Sequence, residues 1–161
     1  MKRLLLIILA MLLLNVGVTG ATPFDDALAA YNRGDYTTAL KIFRPLAAQG
    51  IAEAQFNLGY MYYFGRGVPQ DYAEAVKWHR LAAAQGIAQA QFNLGMNYSS
   101  GRGVPQDYVR AHMWSNLAAI SGDADAVKNR ENTAKKMTPA QIAEAQKLAR
   151  DCQARQFKNC G

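Results

Sequence analysis

From Ala52 onward, apolar residues return every three or four positions, and the rhythm breaks at regular places. Ala54, Leu58 and Tyr62 stand at steps of four, one stripe of a 3.6-residue helical period. That stripe predicts a helix stopping at Gly65, which can take a left-handed conformation, with Val68-Pro69 forbidding continuation. Asp71 then predicts the cap of a second helix, with Glu74 three residues on to complete a capping box. Ala75, Trp78 and Ala82 share a face of that helix, and Gly86 ends it. Gly59 lies inside the first helix, where glycine costs about 1 kcal/mol relative to alanine. Close approach of a neighbouring helix accounts for it, and Gly95 repeats it.

The recurrence is general. Ala52–Ile87 aligns on Ala88–Asp123 without a gap, with 22 of 36 positions identical, which marks an internal duplication. The same period carries Asp71-Tyr72 back onto Asp35-Tyr36 and Gly86 back onto Gly50. Residues 22–51 are therefore a shortened upstream unit with a tight Asn32-Arg33-Gly34 turn. Ala124 opens a further first helix that soon departs from the pattern, Arg130 and Glu131 replacing the Leu-Gly pair. A helix pair of this kind cannot bury its apolar face alone, so neighbours must stack.

Ala54, Leu58, Gly59, Tyr62, Gly65, Gly67, Val68, Asp71, Ala75, Trp78, Ala82, Ala83 and Gly86, with their partners 36 residues later, form a pattern. That pattern closely resembles the Sel-one-like repeat, a relative of the tetratricopeptide repeat. The resemblance covers Ala52–Gly122; it is looser over 22–51, which lacks the G-x-G-V-P loop, and fails after Asn129. It implies an all-α, right-handed α-solenoid of helix-turn-helix repeats. It also implies a scaffold for protein–protein contact, often in bacterial envelope or signalling assemblies, without catalysis. The family consensus fixes no functional residues, so none is carried over.

The ends of the chain differ from its middle. Met1-Lys2-Arg3, the aliphatic run Leu4–Leu14 and the small residues Val18–Ala21 are the three regions of a secretory signal peptide over 1–21. Cleavage fits after Gly20 or after Ala21, and an uncleaved N-terminal anchor helix is the alternative. At the other end, 124–161 reads as capping helices and a tail. Thr138-Pro139-Ala140-Gln141 starts a final helix in which Ile142, Ala145, Ala149 and Cys152 share one face. Cys152 and Cys160, the chain's two cysteines, predict a disulfide in an exported protein, free or metal-linked thiols being the alternative.

Charge changes meaning once it is placed. The net +6 of the 161-residue chain falls to +4 without Lys2 and Arg3. Residues 22–123 hold 8 basic and 8 acidic side chains, and 124–161 hold 8 and 4, so the excess is confined to the C-terminal end. That basic end could meet an acidic partner or anionic lipid, or be a solvated face. With export, it does not point to nucleic acid, and membrane contact is expected only through the signal peptide.

No catalytic constellation is legible. His79 and His112 have no metal-ligand spacing, GRGVPQ lacks the Lys-Ser/Thr of a phosphate loop, and Asp71 and Asp107 read as helix caps. His79, whose repeat counterpart is Ser115, reads as solvated or packed. Neither enzyme nor cofactor nor metal is expected.

Candidate recognition residues come from a helical wheel. Glu53, Asn57, Tyr60 and Phe64 fall in one stripe away from the core, repeated as Gln89, Asn93, Met96 and Ser100. Three of the four columns vary between units, as a surface free of packing demands would. The remaining column is a ladder of Asn57, Asn93 and Asn129, whose amides could grip a peptide backbone beside Tyr60, Phe64 and Met96. Equally, each Asn could bond a neighbouring repeat's backbone.

Overall fold

The structure, a computed structural model, describes residues 21–160, so the export segment predicted over 1–21 lies, but for Ala21, outside the described residues. Eight helices and no strand occupy these residues. They are α1 (Pro23–Asn32), α2 (Tyr36–Ala48), α3 (Ala52–Phe64), α4 (Tyr72–Ala83), α5 (Ala88–Ser100), α6 (Tyr108–Ala119), α7 (Ala124–Ala134) and α8 (Pro139–Ala154). Three hairpins, α1–α2, α3–α4 and α5–α6, stack in chain order through α2 on α3, α4 on α5 and α6 on α7. This is an α-solenoid, the expected class.

Local chemistry sets the boundaries. Asp35, Asp71, Asp107 and Asp123 each accept a backbone N–H from three residues on, satisfying a donor that the first turn leaves unpaired. The capping box expected at Asp71 is not closed. The Glu74 carboxylate turns away to accept from Lys77 at 2.7 Å and from the Trp78 indole at 3.1 Å, so only half the exchange forms. Thr138 and Gln141 do close theirs.

Two apolar clusters fill the stack. One gathers Ala39, Leu40 and Phe43 against Leu58 and Met61; the other gathers Leu94, Met113, Trp114 and Leu117 with Ala149 and Cys152 of α8. Polar ties join one repeat to the next at the same 36-residue period. Arg44 donates to the Tyr62 hydroxyl at 3.2 Å, and Arg80 to that of Tyr98 at 2.6 Å. Likewise the Gln55 amide donates to the Ala47 carbonyl at 3.1 Å, and Gln91 to that of Ala83 at 3.3 Å. The loops dock just as closely. A Cβ on Gly67 would stand 2.9 Å from the Tyr36 carbonyl oxygen, and one on Gly103 would overlap that of Tyr72.

The C-terminal segment departs from the stack. After α7, helix α8 turns back and packs on α6, burying Ala145, Ala149 and Cys152, with Ile142 half-buried. Cys152 and Cys160 are joined as a disulfide, closing the tail into a ring. Inside it Gln156, Phe157 and Asn159 take positive φ values of 53°, 64° and 54°, a left-handed path that costs non-glycine residues energy. The path seats Phe157 against Gly86, in the turn between α4 and α5.

Candidate functional site

The candidate stripe lies on α3 and α5, the first helices of the second and third hairpins, and on α7 after them. Glu53, Phe64, Gln89 and Met96 are exposed, while Asn57, Tyr60, Asn93 and Asn129 are half-buried. The three Asn have three different partners. Asn57 donates within its own helix to the Glu53 carbonyl at 2.7 Å. Asn93 bonds the His79 ring at Nε2, 3.3 Å away, and Asn129 donates to the Ser115 hydroxyl at 2.7 Å. So the two later members reach the preceding hairpin's second helix, through its side chains rather than its backbone.

His79 is packed, not solvated. It is fully buried, its ring 6.0 Å from that of Phe56, and desolvation alone pushes its pKa down to about 4. The ring is therefore neutral at pH 7. Because the Asn93 amide assigns Nε2 as acceptor, the proton falls on Nδ1, which has no partner. Gly59 explains how an imidazole fits: a Cβ there would lie 2.6 Å from the His79 ring. Gly95 faces Ser115 in the same way, so the glycines serve close approach, as their position predicts.

Two cavities open along this face. The first, about 160 Å³, lies between α3 and α5. Tyr60, Tyr63 and Phe64 form one wall and Phe92, Asn93, Met96 and Asn97 the other. Phe64 is 47% exposed and Met96 41%, so a large apolar lip meets water. Asn97 is fully buried there with neither its amide donor nor its acceptor paired. Such a group costs about 1–3 kcal/mol. Its repeat counterpart is the buried Met61, so one copy has exchanged an apolar side chain for an amide.

The second cavity, about 200 Å³, is lined by Tyr31, Phe56, Asn57, Tyr60 and Arg66. Phe56, Asn57 and Tyr60 are the counterparts of Phe92, Asn93 and Met96, so the two cavities are repeats of one another and share Tyr60. Arg66 donates to the Tyr31 hydroxyl, and its guanidinium sits 5.3–5.5 Å from the rings of Tyr31, Tyr36, Tyr60 and Phe64. Among the described residues no carboxylate pairs with it.

Of the candidate residues, Tyr60, Phe64, Asn93 and Met96 thus meet at one cavity, and Asn57 joins Tyr60 at the other. Glu53 and Gln89 line neither cavity, and Asn129 is engaged farther along at Ser115. Sequence reasoning missed Tyr31, Arg66 and Asn97. Only Asn97 left a signal, as a polar residue where the preceding repeat has Met61. A larger cavity of about 450 Å³, beside the disulfide, is lined by charges of both signs, including Asp107, Arg110, Glu144 and Arg155. Asp107 and Arg110 there pair with each other at 2.6 Å. Among the described residues no group of three His, Cys, Asp or Glu could hold a metal ion.

Residues 52–87 and 88–123 each match the family model of the Sel1 repeat. The crystal structure of a Sel1 repeat protein from Oxalobacter formigenes is 35% identical, with a TM-score of 0.62 over 68% of this chain and 86% of that one. The chain belongs to the Sel1 repeat family. Another crystal structure, of a protective antigen present in uropathogenic Escherichia coli strains and displaying an SLR fold, is 34% identical, with a TM-score of 0.79. That match covers 86% of this chain but 31% of the antigen, so the Sel1 repeat protein described here spans about a third of it. No curated protein matches the chain. Sel1 repeats generally bind other proteins and carry no catalytic apparatus of their own. No described helix of this Sel1 repeat protein is long and apolar enough to cross a membrane.

Proposed function

We propose that this Sel1 repeat protein is an exported, non-catalytic scaffold that holds another protein or peptide on the face formed by α1, α3, α5 and α7. The observation that carries the reading is the apolar cavity between α3 and α5, lined by the exposed Phe64 and Met96 together with Tyr60, Tyr63 and Phe92. Exposed aromatic and Met side chains around an apolar cavity, with the half-buried Asn93 amide beside them, are what a partner's segment needs for both affinity and orientation. Export rests on the 1–21 segment, and the Cys152–Cys160 disulfide fits an oxidising compartment such as the periplasm.

Crosslinking pulldown from the envelope fraction tests this, comparing the native chain with Phe64→Asp and Met96→Asp. Both side chains are exposed, so melting temperature should hold while the partner's crosslinks are lost. Unchanged crosslinking overturns the reading. A second reading has the basic C-terminal segment contacting anionic polymer or lipid, with the solenoid structural. Exposed Lys128, Lys135, Arg150 and Lys158 favour it, although Lys147 is already paired with Asp151 at 2.8 Å. Binding that weakens steeply with salt and ignores Met96→Asp would favour that second reading.

A further inference from the structure

The last junction of the stack breaks a pattern that the preceding one keeps. In α5, Leu94 is fully buried, Gly95 lets α6 approach, and the buried Tyr98 takes a hydrogen bond from Arg80 of α4 at 2.6 Å. One repeat later the same three places of α7 hold Arg130, Glu131 and Ala134. The facing helix has changed as well: Val76 and Arg80 of α4 become His112 and Asn116 of α6. A leucine and an aromatic ring are thus gone from the junction, and nothing refills their space. A cavity of about 370 Å³ opens there between α6, α7 and α8, lined by all five exchanged residues. Ile142 and Gln146 of α8 complete its wall. It shares no residue with the two cavities on the first-helix face.

The groups around this cavity are short of partners. His112 is 4% exposed, and its Nδ1 has no hydrogen bond. Burial, and then the charge of Arg130, hold its pKa below the ordinary value, so the ring is neutral at pH 7. Arg130 spends one of five donors on the Asn116 side-chain oxygen at 3.0 Å. Among the described residues neither Arg130 nor Glu131 joins an ion pair, so the cavity carries one unpaired charge of each sign. A simple anion bound here would meet the Glu131 carboxylate, and a simple cation the guanidinium. A molecule bearing both charges satisfies both groups. Ala134 and Ile142 supply an apolar wall for its body, and the volume falls within the range of about 300–1,000 Å³ usual for small-molecule sites.

We propose that the cavity between α6, α7 and α8 binds a small zwitterion, an α-amino acid with an apolar side chain, its carboxylate on Arg130 and its ammonium on Glu131. This site is separate from the partner-binding face, and neither assignment depends on the other.

The test is titration calorimetry on the full chain with L-leucine, L-methionine and L-phenylalanine. Each is compared with its N-acetyl derivative, which lacks the ammonium, with its amide, which lacks the carboxylate, and with inorganic phosphate. At least one free amino acid should bind roughly tenfold tighter than either of its derivatives, and phosphate should give no heat. Arg130→Leu and Ala134→Tyr each install the residue of the preceding repeat, so the melting temperature should hold or rise. Arg130→Leu should leave the free amino acid no tighter than its amide, and Glu131→Gln should level it with the N-acetyl derivative. Ala134→Tyr, which refills the space, should abolish binding of all three forms.

No heat from any of the three amino acids overturns the proposal. So does an N-acetyl derivative that binds as tightly as the free amino acid, or phosphate that binds in their place, since either reports a plain anion site. Amino-acid binding that survives Ala134→Tyr places the ligand elsewhere on the molecule and overturns it equally.

Discussion

Two junctions of this solenoid are built to one plan and filled differently. Where the first Sel1 repeat meets the second, Gly59 makes room for His79, and Asn93 from the next repeat bonds the ring. One step on, Gly95 faces Ser115, and Asn129 bonds the hydroxyl. Ser115 is satisfied on both sides, since it also donates to the Ala111 carbonyl at 2.8 Å. The imidazole fills more volume and packs on Phe56, but keeps a buried N–H without a partner. The plan is thus a glycine, a polar side chain on the second helix and an Asn from the following repeat. Its filler trades packing against complete hydrogen bonding, and only the histidine version responds to pH.

The largest test of that difference is acid. An unfolded His79 titrates near 6.5 and the folded one at about 4, so its contribution is complete above the unfolded value. It is lost as pH falls from 6.5 toward 4, by roughly 3 kcal/mol at about 1.4 kcal/mol per unit. His112, lowered by its own burial and by Arg130, acts with the same sign. Urea unfolding at pH 7 and pH 4 should show the loss, and His79→Ser should flatten most of it while lowering stability at pH 7. Equal acid slopes in both proteins would refute the buried neutral imidazole.

Adding one methyl group separates the junctions next. Gly59→Ala meets a packed ring and should cost about 2–3 kcal/mol. Gly95→Ala displaces a small hydroxyl that can turn aside, and should cost about 1 kcal/mol. Reversed or equal values in chemical denaturation would mean that the glycines do not serve the contacts assigned to them. Removing the amides is gentler. Asn93→Ala leaves the His79 acceptor buried and bare, for about 1–2 kcal/mol, and Asn129→Ala loses one bond, for about 1 kcal/mol. Smallest is Asn57→Ala, whose amide bonds only its own helix; thermal melts should place it within about 0.5 kcal/mol of native.

These contrasts also show what could be read from residues alone. The duplication was legible because packing repeats: Ala54, Leu58 and Gly59 return as Ala90, Leu94 and Gly95, all buried. The wheel set Glu53, Phe64, Gln89 and Met96, which are exposed, in one stripe with Asn57, Tyr60, Asn93 and Asn129, which are half-buried. It could not say that Asn93 and Asn129 reach back to His79 and Ser115, since that depends on how the next hairpin is set. Arg66 and Tyr31 lie 35 positions apart, and nothing in either neighbourhood announces a pair. The cap box at Asp71 failed for the opposite reason, the Glu74 side chain having better local partners in Lys77 and Trp78. The disulfide was legible from two cysteines; the backward turn of α8 onto α6 was not, because the sequence gives its apolar face but not its address.

That backward turn alters how the array comes apart. Stacked repeats ordinarily feel only their immediate neighbours, so an end can fray one hairpin at a time. Here the ring closed by Cys152 and Cys160 lays Phe157 over the turn between α4 and α5, while α8 itself lies on α6. The terminus is fastened two joints inward, like a strap buckled past the last link. Amide exchange in α5 and α6 should therefore rise and fall together, with the last hairpin unable to open until the strap lets go.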